Sequence, residues 1–317
     1  MKPSVLRWAL GVAMLYATAG AGFGQVFPRR LPPRVPMQTV PSDHGVFVVF
    51  LGTGTPRPDP MRQGPSLAVV VNGTAYIVDA GTGVVRQAAA AFSRGIEALE
   101  PNTLDIAFLT HLHSDHTLGL PDLILTPWVT GRVAPLRLYG PAGTRAMVDG
   151  LEHAYAEDID LRINGLEHSS KTGHQVDVHE IRPGVVYQDQ NVKVTAFAVQ
   201  HGSWKEALGY RFDADGKSIV ISGDTRPTES VVQACNGCDL LIHEVYSLER
   251  GGNAYFSSFH TSAVELGDIA TRARPKLLVI THYVDGARPN PAQVLQEVHQ
   301  KFSGPAVVAN DLDVIAP

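Results

Sequence analysis

The chain has 317 residues, with 26 Lys and Arg against 31 Asp and Glu, for a formal net charge of −5. That balance holds no basic domain or stripe and argues against nucleic acid as a partner. Hydrophobic residues at 44% and charged residues at 18% describe a globular protein with a sizeable core. The length allows one large domain or two small ones.

The first 24 residues read as a secretory signal peptide. Lys2 and Arg7 precede the apolar run Trp8–Ala17, and Ala19–Gly24 is rich in small residues, which places cleavage before Gln25. The run is short for a membrane span. No cysteine stands near the cleavage point to take a lipid. An uncleaved N-terminal anchor is the alternative. Residues 25–44 read as an extended tether, since Phe27–Ser42 holds five prolines and three arginines. Residues 45–317 then form the domain, and export to the periplasm or beyond is expected.

Val46–Gly52 is a buried strand running into a Gly- and Pro-rich loop that reaches Ser66 and holds Arg57, Asp59 and Arg62. No Lys-Ser/Thr follows its glycines, so it is not a P-loop. Leu67–Val71 and Ala75–Val78 pair as a hairpin across Asn72-Gly73. Asp79-Ala80-Gly81-Thr82-Gly83 follows, and Val84–Ala98 is Ala-rich and helical.

Asp105–Thr110 is apolar enough for a buried strand. It leads into His111-Leu112-His113-Ser114-Asp115-His116, where three histidines and an aspartate fall within six residues. Imidazoles and a carboxylate are the ligands that borderline divalent cations prefer. His111 and His113, two apart, can point one way. Asp115 and His116 can turn toward a second position a few ångströms off.

Helices follow around Leu118–Leu125 and Pro141–Ala156, with a strand at Leu136–Tyr139 between them. Ile159–Lys171 is polar and fits no element well. Val176–Ile181, Val192–Val199, Gly209–Phe212 and Ser218–Ile221 read as strands. Gln200-His201-Gly202 and Ser222-Gly223-Asp224-Thr225 end two of them. Glu229–Cys235 is a short helix, and Leu240-Leu241-Ile242 runs into His243-Glu244. Thr261–Arg272 is helical, with Thr261 or Ser262 at its N-cap. Lys276–Ile280 is a strand ending in Thr281-His282-Tyr283. Pro291–Phe302 is the last helix, and a terminal hairpin or strand pair closes the chain.

Asp79, the His111–His116 loop, His201, Asp224 and His282 thus all sit at strand ends. Two metals about 3.5–4 Å apart need roughly seven protein ligands and a bridging group. His111, His113, Asp115, His116, His201 and His282 are available, with Asp224 as the bridging carboxylate. Two zinc ions are the expected cofactors, and Mn2+ or Fe2+ would accept the same donors. Such a pair suits hydrolysis of esters, lactones, lactams or phosphodiesters. Cys235 and Cys238 stand C-x-x-C, read as a local disulfide or two buried thiols. His44, His153, His168, His174, His179 and His299 have no partner at ligand spacing. Trp204 follows His201 closely enough to line a pocket, as Phe256–Phe259 could.

His111-x-His113-x-Asp115-His116, with the single His, Asp and His that follow, resembles the signature of the metallo-β-lactamase superfamily. The resemblance runs from about Val46 to the C-terminus. It implies a four-layer αβ/βα sandwich of α/β class with the metals at one edge. It implies that His111, His113 and His201 bind one metal, that Asp115, His116 and His282 bind the other, and that Asp224 bridges them. Asp79 would support the metal loop by hydrogen bonding.

Phe50-Leu51-Gly52-Thr53-Gly54, Leu241-Ile242-His243-Glu244 and His260-Thr261-Ser262 resemble the ribonuclease Z-like branch, which includes an arylsulfatase-type group of exported enzymes. There the Glu and the later His assist proton transfer to the leaving group, here Glu244 and His260. Asp115 would serve catalysis as well as metal binding. Only 23 residues separate His201 from Asp224, which leaves no room there for the tRNA-gripping arm of ribonuclease Z enzymes. The sequence therefore predicts an exported dinuclear hydrolase of small phosphodiesters, phosphoesters or aryl sulfates. A tRNA 3′-processing endoribonuclease is the alternative, and a β-lactamase or lactonase comes after it. A homodimer is compatible with the sequence, and no stable membrane span is expected.

Overall fold

The structure is a computed structural model, and it describes residues 45–246, 254–284 and 290–317. The expected signal peptide and tether, with His44, lie outside the described residues. Two seven-stranded sheets pack face to face. The first is ordered β14-β1-β2-β3-β4-β5-β6 and the second β13-β12-β11-β10-β9-β8-β7. The strands of the first sheet are β1 (Val46–Gly52), β2 (Ser66–Val71), β3 (Thr74–Val78), β4 (Ile106–Phe108), β5 (Leu136–Gly140), β6 (Val176–Glu180) and β14 (Val314–Ile315). Those of the second are β7 (Gly184–Gln188), β8 (Lys193–Val199), β9 (Ala207–Ala214), β10 (Lys217–Ile221), β11 (Leu240–Tyr246), β12 (Leu277–Val284) and β13 (Ala306–Val308).

Strand β1 shows why a run such as VFVVFLG has no polar alternation. Phe47, Val49 and Leu51 pack outward onto the helices α1 (Val84–Phe92), α3 (Leu120–Val129) and α4 (Thr144–Ala154). Val48 and Phe50 point inward at the other sheet. Both faces are buried, so both must be apolar. The inner layer joins Tyr76, Phe108 and Ile106 to Tyr210, Phe212, Leu240 and Ile242. The outer face of the second sheet buries Val220, Leu241 and Leu278 against α6 (Glu229–Cys235), α8 (Ala263–Ala273) and α9 (Pro291–Val298). The result is the expected four-layer sandwich.

Each sheet changes character halfway. Strands β1, β2 and β3 pair antiparallel, and β3 to β6 pair parallel. In the second sheet β7 to β10 are antiparallel, and β10 to β13 are parallel. The parallel halves send their C-terminal ends to one edge, where ligand sites of such sheets collect.

Several expectations need correction. The helix from Val84 stops at Phe92, because Ser93 and Arg94 lead into Gly95 at φ +94°. The stretch from Ile159 opens inside a helix, α5 (Ala156–Asn164). Strand β7 was not expected; it lies at a sheet edge and is half exposed, so its pattern is weak. The chain does not close on a hairpin. Strand β13 pairs with β12 in one sheet and β14 with β1 in the other, so the C-terminus crosses the sandwich. Of the two N-cap candidates for α8, Ser262 is the one used, in a reciprocal capping box with Glu265. Cys235 and Cys238 form a disulfide at the end of α6.

Candidate metal centre

Asp79 leaves the end of β3 in the left-handed region, at φ 61°. That uncommon turn aims its carboxylate under the next strand end. There Oδ1 accepts from the Thr110 backbone N–H at 2.8 Å, the Thr110 hydroxyl donates to Oδ2 at 2.9 Å, and His116 Nδ1 donates to Oδ2 at 2.8 Å. One buried carboxylate thus fastens both ends of the loop 110–116. Backbone packs on backbone beside it: a Cβ on Gly81 would lie 2.3 Å from the carbonyl carbon of Gly64. Only glycine permits that approach.

The loop delivers two sets of donors. His111 Nε2 and His113 Nδ1 stand 3.0 Å apart, and His201 Nε2 is 3.0 Å from the same His113 Nδ1. The far nitrogens of two rings are held: His111 Nδ1 lies 3.0 Å from the Thr110 hydroxyl, and His201 Nδ1 donates to the Phe259 carbonyl at 2.8 Å. That leaves lone pairs on the Nε2 atoms of His111 and His201. Burial pushes all three imidazoles below their ordinary value, His111 farthest.

The second set includes a carboxylate. His282 Nε2 lies 3.3 Å from Asp115 Oδ2, and His116 Nε2 lies 3.6 Å from the same oxygen. Asp224 stands between the sets, with Oδ1 3.4 Å from His116 Nε2 and Oδ2 3.6 and 3.8 Å from the Nε2 atoms of His282 and His201. Burial opposes charge on Asp224, but the facing His282 and His116 hold its carboxyl well below the usual range. Like Asp79, His282 carries a positive φ, 43°, which turns it inward from β12.

A divalent ion fits these residues. Among the described residues His116 Nε2 is fully buried and makes no hydrogen bond, although its ring is held by Asp79. The donors of each triplet, His111/His113/His201 and Asp115/His116/His282, lie within 4.8 Å of one another. A buried orphan nitrogen beside carboxylates is the arrangement a cation relieves.

Glu244 and His260 adjoin this cluster. Glu244 Oε1 accepts from the backbone N–H groups of Thr225, at 3.2 Å, and Thr261, at 3.1 Å. His260 Nδ1 is 3.3 Å from the same oxygen and 4.0 Å from Asp224 Oδ2. Burial alone would lower the His260 pKa, but the Glu244 carboxylate beside it raises it to about 9.

All ten sequence-predicted residues therefore come to one edge. Of the other histidines, His179 pairs with Asp177 and His299 with the Phe302 carbonyl. Thr110, Thr225 and Thr261 were not foreseen as site residues, since all three act through backbone N–H groups that no side-chain pattern reveals. Asp311 was also missed. From beyond β13 its carboxylate accepts from Thr53 and Gln63 and pins the Gly-rich loop after β1.

Residues 74–283 match the family model described as the β-lactamase superfamily domain. The chain is 35% identical over 276 residues to a ribonuclease Z of Mycobacterium bovis, covering 84% of this chain and 96% of that one. It is 34% identical over 276 residues to a ribonuclease Z of Mycobacterium tuberculosis, with the same coverage. Among solved structures, the metallo-β-lactamase fold protein YhfI of Bacillus subtilis superposes with a TM-score of 0.67 at 19% identity, covering 85% of this chain and 98% of that one. The short form of human tRNase Z superposes with a TM-score of 0.65 at 24% identity and the same coverage. These two likenesses bear on the fold alone. The chain belongs to the metallo-β-lactamase superfamily, in its ribonuclease Z-like branch, and is a metal-dependent hydrolase.

Proposed function

We propose that this hydrolase cleaves phosphodiesters, with RNA as its substrate class. The observation that carries this is the His260–Glu244 pair set against Asp224. Breaking a phosphodiester expels an alkoxide, which needs a proton, and a positioned imidazolium supplies one. The curated relatives bear the name ribonuclease Z, which favours this reading over the aryl sulfates expected from sequence. It also favours the tRNA-processing alternative, and with it a nucleic acid partner, against which the charge balance argued.

His111, His113 and His201 would hold one metal and Asp115, His116 and His282 the other, with Asp224 shared. Zinc is the proposed ion, because nitrogen donors predominate. Bound divalent ions polarise the phosphoryl oxygen and supply a nucleophile at neutral pH. The remaining tasks fall to the chain. Glu244, fixed by two backbone donors, holds the His260 ring in place and keeps it charged. His260 gives its proton to the departing oxygen. Asp79 keeps His116 oriented, and Thr110 does the same for His111.

Between His201 and Asp224 the structure has only β9 and β10, joined at a tight turn with Asp215 and Gly216 at positive φ. Without an arm at that place, RNA would have to be gripped at the rim of the site, which suits short or single-stranded 3′ ends. The test is metal analysis with hydrolysis of bis-p-nitrophenyl phosphate and a short oligoribonucleotide, beside p-nitrophenyl sulfate, a β-lactam and a lactone. Two metals per chain and phosphodiester turnover, lost in Asp224→Ala, are expected. Turnover of only the lactam or lactone would overturn the reading.

We also propose export, on the strength of residues 1–24. N-terminal sequencing of the mature protein should begin at Gln25, and a chain retained in the cytoplasm with its leader intact would refute it. Among the described residues no helix is long and apolar enough to cross a membrane.

A further inference from the structure

Trp204 stands out on the rim of the metal centre. It lies on the loop between β8 and β9, three residues after His201. Its Nε1 is 2.7 Å from His113 Nε2, and its ring meets the His113 ring edge-on, with centroids 5.1 Å apart at 82°. It also lies 6.1 Å from the His111 ring. Yet it is 36% exposed, while Trp128 is 2% exposed. A large aromatic surface is thus held at its edge, next to two proposed ligands, with ring left open to solvent.

The loop that carries it is braced. Gly202 has φ +53°, and its N–H donates to the Ser258 carbonyl at 3.0 Å. A Cβ there would fall 2.0 Å from the Phe259 ring. Phe259 in turn packs on His201, with centroids 5.1 Å apart, and against Tyr255 at 4.8 Å. Tyr255 is itself 62% exposed. The outer side of the His111/His113/His201 triplet is therefore flanked by aromatic rings on a fixed backbone.

We infer that Trp204 is a specificity residue whose open ring stacks on the nucleobase next to the scissile phosphate. This rests on the phosphodiesterase reading and names the part of the substrate it would recognise. Indole faces bind bases of any identity, because every base has a π-face. Such a contact would grip single-stranded nucleotides with no basic surface, which accords with a net charge of −5.

The test uses the metal-loaded chain and compares binding of AMP, ribose 5-phosphate and phenyl phosphate. The protein has three tryptophans, so emission that differs between wild type and Trp204→Phe reports on Trp204. AMP should bind about tenfold tighter than ribose 5-phosphate and quench that component. The AMP preference should fall to near one in Trp204→Ala and survive in part in Trp204→Phe, which keeps a ring without the N–H. No preference in wild type, or a preference unchanged in Trp204→Ala, would overturn the inference. Preference for phenyl phosphate alone would overturn it in favour of an aryl ester. Equal loss in both variants with loss of bound metal would also overturn it, because Trp204 would then act only by positioning His113. Turnover of bis-p-nitrophenyl phosphate judges the phosphodiesterase reading separately, so either can fail alone.

Discussion

The two halves of the sandwich furnish the metal centre in opposite ways. The first contributes four donors from one six-residue loop, fastened by a single carboxylate, Asp79. The second contributes His201, Asp224 and His282 singly, from just past β8 and β10 and from within β12 of another sheet. The first set is spaced by one short loop and fastened from the neighbouring strand of the same sheet. The second exists only when β8, β10 and β12 are stacked in register. Metal binding should therefore depend on the tertiary fold through His201 and His282, one in each triplet, and through Asp224 between them.

Replacing Asp224 is the sharpest way to break this arrangement. Asp224→Ala should lower kcat/KM by about 10³-fold or more and reduce bound metal below two per chain, measured by elemental analysis. His113→Ala, on the loop side, should instead leave the Asp115/His116/His282 set able to hold an ion. If the two variants lose metal alike, the two sets do not bind independently.

The proton donor comes next. His260→Ala should cost about 10²–10⁴-fold in kcat on an alkyl phosphodiester. The loss should be smaller for a p-nitrophenolate leaving group, which needs little protonation. Glu244→Gln removes the charge that raises the His260 pKa toward about 9. The sign follows: the imidazole then loses its proton at lower pH, so the alkaline limb of the kcat profile should move to lower pH. An unmoved limb would remove His260 from the role of acid.

Asp79→Ala tests the local half. It leaves every donor in place and frees the loop, so metal affinity should fall about 10–100-fold, read by competition with a chelator. Activity should recover at excess metal, which Asp224→Ala would not show.

The smallest effect is expected where the halves are tied far along the chain. Asp189, just after β7, accepts from the Tyr76 hydroxyl of the first sheet at 2.7 Å and from Tyr187 of the second at 2.8 Å. Burial raises its pKa, but these hydroxyls and the backbone N–H groups of Asn191 and Val192 outweigh that and hold it below the usual value. A carboxyl with a depressed folded-state pKa adds stability above its unfolded pKa, near 4, and loses it as pH falls further. Asp189→Asn should cost about 1–2 kcal/mol at pH 7 by denaturant titration. The gap from wild type should narrow below about pH 4.

Legibility followed the same division. The His111–His116 cluster could be read directly, because its ligands are neighbours in sequence and no ordinary surface loop needs that composition. His201, Asp224 and His282 were legible only as residues at strand ends, given meaning by their number and by resemblance to a known family. Thr225 and Thr261 could not be read at all, since their backbone N–H groups carry the interaction. The same holds for Asp311, which is hydrogen-bonded to the loop after β1 from more than 240 residues away.

Residue type and local spacing by themselves determined the buried strands, their apolar faces and the donor chemistry. They did so because apolar periodicity and imidazole basicity are properties of a short segment. They could not place β13 and β14 in different sheets, since a strand of two or three residues takes its partner from the edge left open for it. Nor could they set the spacing between donors. Which nitrogen of each imidazole faces the metals depends on what holds the other nitrogen, whether Asp79, Thr110 or the Phe259 carbonyl. Those partners meet the rings only after the chain has packed.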